Sequence, residues 1–379
     1  MGDLSSSFKS TKTLVKAVIF DLDGTLLNTE QATKDILKVF LGRYGLVPDA
    51  VKERKRLGMT QKESVNSIIK DYDLPLTPDQ FIQNIMPLYE GMWLKATALP
   101  GANRLLEHLY KYKVPFALAS NALRKNIDVK ISQQKGWKER FSVIIGSDEV
   151  KAGKPAPDMF LEAAKRMGVN PADCLVIEDS LVGVKAGKAA GMNVTAVPSI
   201  PIEIDAYSIA DSVIHSLLEF QPELWGLPPF GDFYCVSGLC KALRIYPICF
   251  KGTNNSGILH EFSDDGSCFP DQLQGLYFGW AIIDVHNIIK VLIGIGWVKS
   301  SCSSRRKIQA WVVDESIVQI DEKEMQLMIV GYIRGPVYMG NMFDKVEIVE
   351  EDKLIATAAL NSPEYSFETC KSLFPETCP

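Results

Sequence analysis

At 379 residues, with 46% hydrophobic and 23% charged side chains, the chain has the length for two or three domains and the make-up of a soluble globular protein. A net charge of -5 argues against nucleic acid or an anionic membrane as partner, and no apolar run reaches the roughly 18 residues that span a bilayer. Eight cysteines without a CxxC pair, and a polar Met1 to Thr13 without an apolar signal segment, point to reduced thiols, no zinc site and a cytoplasmic location. Met1 to Ser6 fits the loose myristoylation pattern, with Asp3 against it.

In chain order, the first element is a short apolar run, Leu14 to Phe20, which reads as a strand buried on both faces. It stops at Asp21-Leu22-Asp23-Gly24-Thr25, where two carboxylates precede a glycine that permits a sharp turn. Helical spacing follows over Glu30 to Tyr44 and Thr60 to Tyr72, and Thr77-Pro78 opens a third helix with Phe81, Ile85, Leu88, Tyr89 and Trp93 on one stripe. This all-helical insert spans about residues 29–96. Lys52 to Arg56 reads as a solvated helix face, with a substrate-phosphate contact as the alternative.

From Leu99-Pro100-Gly101 onward helices and strands alternate. Strands over Val114 to Ala119, Phe141 to Ile145, Cys174 to Ile177 and Val194 to Val197 are separated by helices that include Asn103 to Tyr112 and Asp158 to Met167. Such alternation predicts a doubly wound parallel sheet, whose active site lies at the carboxyl ends of its strands. Those ends carry Ser120-Asn121 and Glu178-Asp179-Ser180, with Lys154-Pro155 in an adjoining loop. Taken singly, each piece reads as a turn or a helix cap.

Taken together, Asp21-x-Asp23-Gly-Thr25, Ser120-Asn121, Lys154-Pro155 and Glu178-Asp179 resemble the haloacid dehalogenase (HAD) superfamily of phosphotransferases, over about residues 14–220. The resemblance implies an α/β phosphatase with the helical insert as a cap that closes over the site and selects the leaving group. It implies Asp21 as the nucleophile that becomes an aspartyl-phosphate, and Asp23 as the general acid and base. It implies Mg²⁺ held by Asp21, the backbone carbonyl of Asp23 and Asp179, with Glu178 nearby, and a substrate phosphoryl group met by Ser120, Asn121 and Lys154.

Leu227-Pro228-Pro229-Phe230-Gly231 reads as a linker, dividing the chain into residues 1–228 and 229–379. Beyond it come β-type runs at Gly275 to Ala281, Ile288 to Trp297, Ala310 to Val313 and Gln326 to Ile333, and a helix over roughly Lys345 to Leu360. Gly275-Leu-Tyr-Phe-Gly-Trp-Ala281, Ile295-Gly-Trp297 and Ile329-Val-Gly-Tyr-Ile-Arg334 resemble the riboflavin kinase family, a small Greek-key β-barrel. A phosphatase fused to that barrel resembles the bifunctional FMN hydrolase/riboflavin kinases of plants and implies FMN as the favoured small-molecule phosphate ester. Two departures matter. The Gly-rich segment and PTAN motif of the kinase family are missing from Leu243 to Pro270, and its catalytic Glu falls on Gln309, an amide that cannot take a proton as a carboxylate does. Kinase chemistry is therefore expected to be lost. Tyr277, Phe278, Trp280 and Trp297 are expected in the barrel core. Alternatives are a retained kinase, or a phosphatase or phosphomutase acting on sugar or glycerol phosphates beside a non-catalytic flavin-binding or interaction module.

Overall fold

A computed structural model of the chain describes residues 14–33, 35–56, 59, 61–198, 206–231, 233–236, 239–255, 258–261, 270, 272–283, 287–299, 304–313, 324–336 and 348–372. The Met1 to Ser6 motif, the Cys268-Phe269 end of the divergent kinase segment and the expected helix start at Lys345 lie outside these residues.

Six strands form a parallel sheet: β1 (Ala17–Phe20), β2 (Phe116–Ala119), β3 (Val143–Ile145), β4 (Cys174–Glu178), β5 (Asn193–Ala196) and β6 (Ser212–Val213). Their order is β3-β2-β1-β4-β5-β6, so β1 and β4 sit side by side at the centre. β1 is apolar throughout because both of its faces are covered. Val18 and Phe20 pack with Leu105, Leu109 and Phe116 on one side, and Ala17 and Ile19 with Phe160, Val176 and Val184 on the other.

The insert after β1 is a cap of five helices: α1 (Thr29–Thr33), α2 (Ile36–Gly42), α3 (Ala50–Lys55), α4 (Gln61–Asp71) and α5 (Pro78–Trp93). It has its own apolar core of Phe40, Val65, Ile68, Phe81 and Ile85. The expected single helix from Glu30 to Tyr44 is two. Thr33 turns its hydroxyl back onto the Thr29 carbonyl at 2.7 Å, a local bond that competes with the helix ladder. Lys52 to Arg56 is also not simply a solvated face. Arg56 is buried and meets Asp71 at 3.3 Å, and Lys52 donates to the Asp71 carbonyl at 2.6 Å, so α3 is tied to α4. A capping box at Thr77 starts α5, its hydroxyl accepting from Gln80 N while Gln80 Oε1 accepts from Thr77 N. Two chain crossings join the cap to the sheet, and they are bonded to each other: Asn28 N donates to Thr97 O at 2.9 Å and Leu99 N to Leu26 O at 2.8 Å.

The remaining helices around the sheet are α6 (Ala102–Lys111), α7 (Arg124–Ile131), α8 (Trp137–Arg140), α9 (Asp158–Met167) and α10 (Leu181–Ala189). The second half adds β7 (Phe233–Val236), β8 (Leu239–Asn255), β9 (Ile258–Glu261), β10 (Gly275–Ile282), β11 (Ile288–Lys299), β12 (Ser304–Val312) and β13 (Glu324–Arg334), then α11 (Glu350–Leu360) and α12 (Phe367–Lys371). The strands run in the order β13-β10-β11-β12-β9-β8-β7, and β13 also pairs with β8. Six of them thus close a ring, with β7 appended to β8. Alternation along each strand sends Tyr277, Ile293 and Leu327 inward and Phe278, Leu292 and Val330 outward beneath Ile355 and Ala359 of α11. As expected, Tyr277 and Phe278 are fully buried. Trp280 is partly buried and donates its indole N–H to Tyr365 O at 3.0 Å. Trp297 is partly buried under the Arg306 guanidinium, 5.1 Å from its ring centroid.

The expected linker is anchored to the first half by two buried residues, with Pro229 and Gly231 exposed. Leu227 and Phe230 lie in the core of the parallel sheet, the Pro228 carbonyl meets His108 Nε2 at 2.7 Å, and Arg104 lies 3.5 Å from the centroid of Phe230. Two prolines restrict this segment, and its apolar residues leave water for the same core that anchors β1. Just upstream, Leu218 joins the barrel core.

Candidate active site

The site is built at the carboxyl ends of β1, β2 and β4. Asp21 follows β1 directly, and its backbone N–H is spent on the Ile177 carbonyl at 3.0 Å, which fixes the carboxylate beside β4. Lys154 reaches across from the loop before α9 and donates to Asp21 Oδ1 at 2.6 Å and to Glu178 Oε1 at 2.7 Å. Asn121 holds that lysine from behind: its Oδ1 accepts from Lys154 N at 2.9 Å, and its Nδ2 donates to Lys154 O at 3.3 Å. The Lys154–Pro155 peptide between them is cis.

Asp21, Glu178 and Asp179 are all buried, and one carboxylate oxygen from each falls within 4.8 Å of the others. Three anions so close need positive charge. Burial raises the Asp21 carboxyl to about 7 despite the Lys154 ammonium, with Glu178 and Asp23 adding to the rise. Burial alone would pull Lys154 down, but Asp21 and Glu178 reverse this and hold its proton more tightly than usual. The donor set is all oxygen, which suits a hard divalent cation such as Mg²⁺. Around it, Thr25 Oγ1 donates to Asp179 Oδ1 at 3.2 Å, and Glu178 Oε2 accepts from Ser180 N at 2.7 Å and Ser180 Oγ at 2.9 Å. Gly183 is required at the start of α10, since a Cβ there would sit 1.6 Å from Glu178 Oε1.

Asp23 points elsewhere. Its Oδ1 accepts from Thr29 Oγ1 at 2.7 Å and from Lys130 Nζ at 2.7 Å, and its Oδ2 from Lys130 at 2.8 Å and Ser120 Oγ at 3.4 Å. Burial pushes this carboxyl up, but Lys130, helped by Thr29 and Ser120, outweighs burial and leaves it below the usual range. The two carboxylates of the Asp-x-Asp pair are thus driven apart in pKa, Asp21 upward by burial and Asp23 downward by Lys130, a pattern that gives the two different roles.

Every residue expected at the site is brought there: Asp21, Asp23, Ser120, Asn121, Lys154, Glu178 and Asp179. Asn121 contributes a clamp on the Lys154 backbone that the sequence did not show. Lys130 and Thr29 were missed, and Thr25 was named in the motif without its bond to Asp179. Lys130 had a signal, because it shares the apolar stripe of α7 with Ile127 and Ile131, and a lysine among such residues needs a buried partner. Its ammonium also lies 5.0 Å from the Trp93 ring centroid, linking Asp23 to the last turn of the cap.

Residues 15–191 match the family model for haloacid dehalogenase-like hydrolases. The HAD hydrolase of family IA, variant 3, from Entamoeba histolytica aligns with a TM-score of 0.50 at 25% identity, over 56% of this chain and 98% of that one. Fold and site together define a phosphatase of the HAD type. Across almost its whole length, 95% of this chain and 97% of the relative, the sequence is 40% identical to the bifunctional riboflavin kinase/FMN phosphatase of Arabidopsis thaliana, and the chain belongs to that family. The phosphatase part alone is 36% identical to (DL)-glycerol-3-phosphatase 2 of the same plant, over 57% of this chain and 92% of that protein.

Gln309, the residue at the expected kinase-base position, lies on β12, largely buried, and its Oε1 has no hydrogen-bond partner among the described residues. Among those residues, no helix is long and apolar enough to cross a membrane.

Proposed function

We propose that the protein hydrolyses FMN to riboflavin and phosphate, in the cytoplasm, through an aspartyl-phosphate on Asp21. The observation that carries the reading is the buried Asp21–Lys154–Glu178–Asp179 cluster at the end of β1 and β4. A carboxylate is the one side-chain nucleophile here already ionisable near neutral pH, and Lys154 offsets the repulsion between it and an incoming phosphate. In the first half, Asp21 Oδ attacks phosphorus, the ester P–O bond breaks and the leaving alkoxide takes a proton from Asp23. Lys130, bonded to both Asp23 oxygens, holds that carboxyl in place. In the second half, water attacks phosphorus and gives its proton to Asp23, the low-pKa base, and the P–O bond to Asp21 breaks to free phosphate. Ser120 and Asn121 border the phosphoryl position. Asp21, Asp179 and the Asp23 carbonyl, with Glu178 alongside, would hold Mg²⁺, which would supply charge neutralisation for the anion–anion encounter.

The choice of FMN rests on the 40% identity over 95% of the chain to a protein of that named activity. The likeness to a glycerol-3-phosphatase over the phosphatase part favours a polyol phosphate as the second reading. We propose further that residues 1–228 form the phosphatase unit, and that the barrel over 229–379 has lost riboflavin kinase activity, because Gln309 offers an amide where a carboxylate base is needed. Phosphate release measured over FMN, glycerol phosphates and sugar phosphates, with and without Mg²⁺, tests the substrate. A mutase would free little phosphate on the sugar arm. Incubation with riboflavin, ATP and Mg²⁺ tests the kinase, and measurable FMN formation would overturn its loss.

A further inference from the structure

The barrel reaches the catalytic loop through Gln272. This side chain is 4% exposed, and its amide Nε2 donates to the carbonyl oxygen of Gly24 at 2.6 Å. Gly24 lies between Asp23 and Thr25, and its φ of +85° is a conformation that only glycine adopts without strain. The same freedom that lets glycine turn there leaves its peptide unit weakly fixed by local sterics. The peptide that Gln272 grips joins Gly24 to Thr25, so it borders the Asp23 carboxylate on one side. On the other it borders the hydroxyl that bonds Asp179.

The grip is rigid on its own side. Leu273 is fully buried in the barrel core, and its N–H closes a turn onto Pro270 O at 3.0 Å. Arg306 of β12 donates to the same Pro270 carbonyl at 3.1 Å, and Tyr277 of β10 donates to Gln274 O at 2.8 Å. Gln272 is therefore presented by a braced turn whose anchors are barrel strands. The catalytic loop is held by Leu99 from the cap crossing, by Lys130 and Ser120 at Asp23, by Asp179 from β4, and by Gln272 from the barrel.

We infer that the barrel is part of the phosphatase, with Gln272 as a positioning residue that fixes the Asp23–Thr25 segment from outside the HAD fold. The inference rests on the phosphatase reading. Displacement of a reacting group by about 1 Å costs on the order of a hundredfold in rate, so one well-placed bond to a glycine hinge suffices to matter.

The test uses the full chain. Gln272→Met keeps the length and volume of the side chain and removes the donor, while Gln272→Glu keeps its shape and removes the N–H. For both, kcat on the substrate turned over by the wild type should fall about tenfold or more, with KM changed less than about twofold. Amides of residues 22–27 should exchange faster, and those of β1 and β4 at the wild-type rate. Unchanged kcat in Gln272→Met overturns the proposal, as does a loss that only follows a fall in melting temperature. If neither variant folds, native-state hydrogen exchange of the wild type in mild urea decides. Amides 22–27 should lose protection together with β10, before β1 and β4. Protection that outlasts the barrel's would sink the idea. A wild type that releases no phosphate from any ester would instead count against the phosphatase reading, and the exchange result would still stand alone.

Discussion

Asp21 is placed where its charge is badly solvated and chemically useful. Its carboxyl sits at about 7 in the fold against an ordinary 3.8, with burial the largest cause. Below pH 4 both folded and unfolded chains carry the proton. Above that the unfolded chain releases it first, so the contribution of Asp21 to stability falls from about pH 4 to about 7 and is then level. Asp21→Asn should abolish hydrolysis. In metal-free buffer it should also raise stability near pH 7.5 by roughly 1–3 kcal/mol, with the gain vanishing toward pH 4. Urea denaturation across that range measures it. Mg²⁺ should raise the melting temperature of the wild type more than that of the variant, because one anionic ligand is gone. For Lys130→Met, which leaves the half-buried Asp23 carboxylate without its cation, kcat should drop about 10²-fold or more in steady-state assays. Gly183→Ala forces a methyl into Glu178 Oε1 and should lose at least about 2 kcal/mol in thermal melts, together with Mg²⁺-dependent turnover.

At the scale of elements, the cap is a separately cored helical layer hinged on two bonded chain crossings. Arg56→Met removes one of the ties between α3 and α4 and leaves those of Lys52 and Lys55. A modest loss of stability in denaturant unfolding is expected, with KM for the ester rising more than kcat falls. The strands and helices around Asp21 were readable in the sequence because each apolar run ends at a polar cluster and each helix carries a clean stripe. The split of the first cap helix was not, since a threonine bonding its own backbone looks in sequence like any other helix residue. β7, β8 and β9 were also missed. The first barrel strands carry mixed polar and apolar residues, and their pairing depends on partners far along the chain, such as β13. Among site residues, the Asp-x-Asp, Lys-Pro and Glu-Asp clusters were legible by residue type and order. Lys130 and Gln272 act through reach across the fold, and spacing does not encode reach.

For the whole molecule, the two halves share more than a tether. Leu218 belongs to the barrel core, while Leu227 and Phe230 belong to the core of the parallel sheet, so one short stretch of chain is anchored in both cores. Calorimetry of the full chain should therefore show one cooperative transition, and two well-separated peaks would contradict the shared packing. Leu218→Ala should cost about 2–4 kcal/mol, since it opens a hole between the halves. Cleavage of the chain after residue 228 should leave an N-terminal fragment with much-reduced turnover and a tendency to aggregate through the exposed Leu218.

The ring of the barrel closes only when β13 pairs with β8, the last strand meeting one of the first. During synthesis the parallel sheet, all of it upstream of residue 214, leaves the ribosome well before that pairing is possible. The loop carrying Asp23 therefore waits on residues made much later. A chain still being translated, or one cut short by a premature stop, would own every catalytic side chain and yet work poorly. The positioning role inferred for Gln272 would thereby tie activity to completion of the polypeptide.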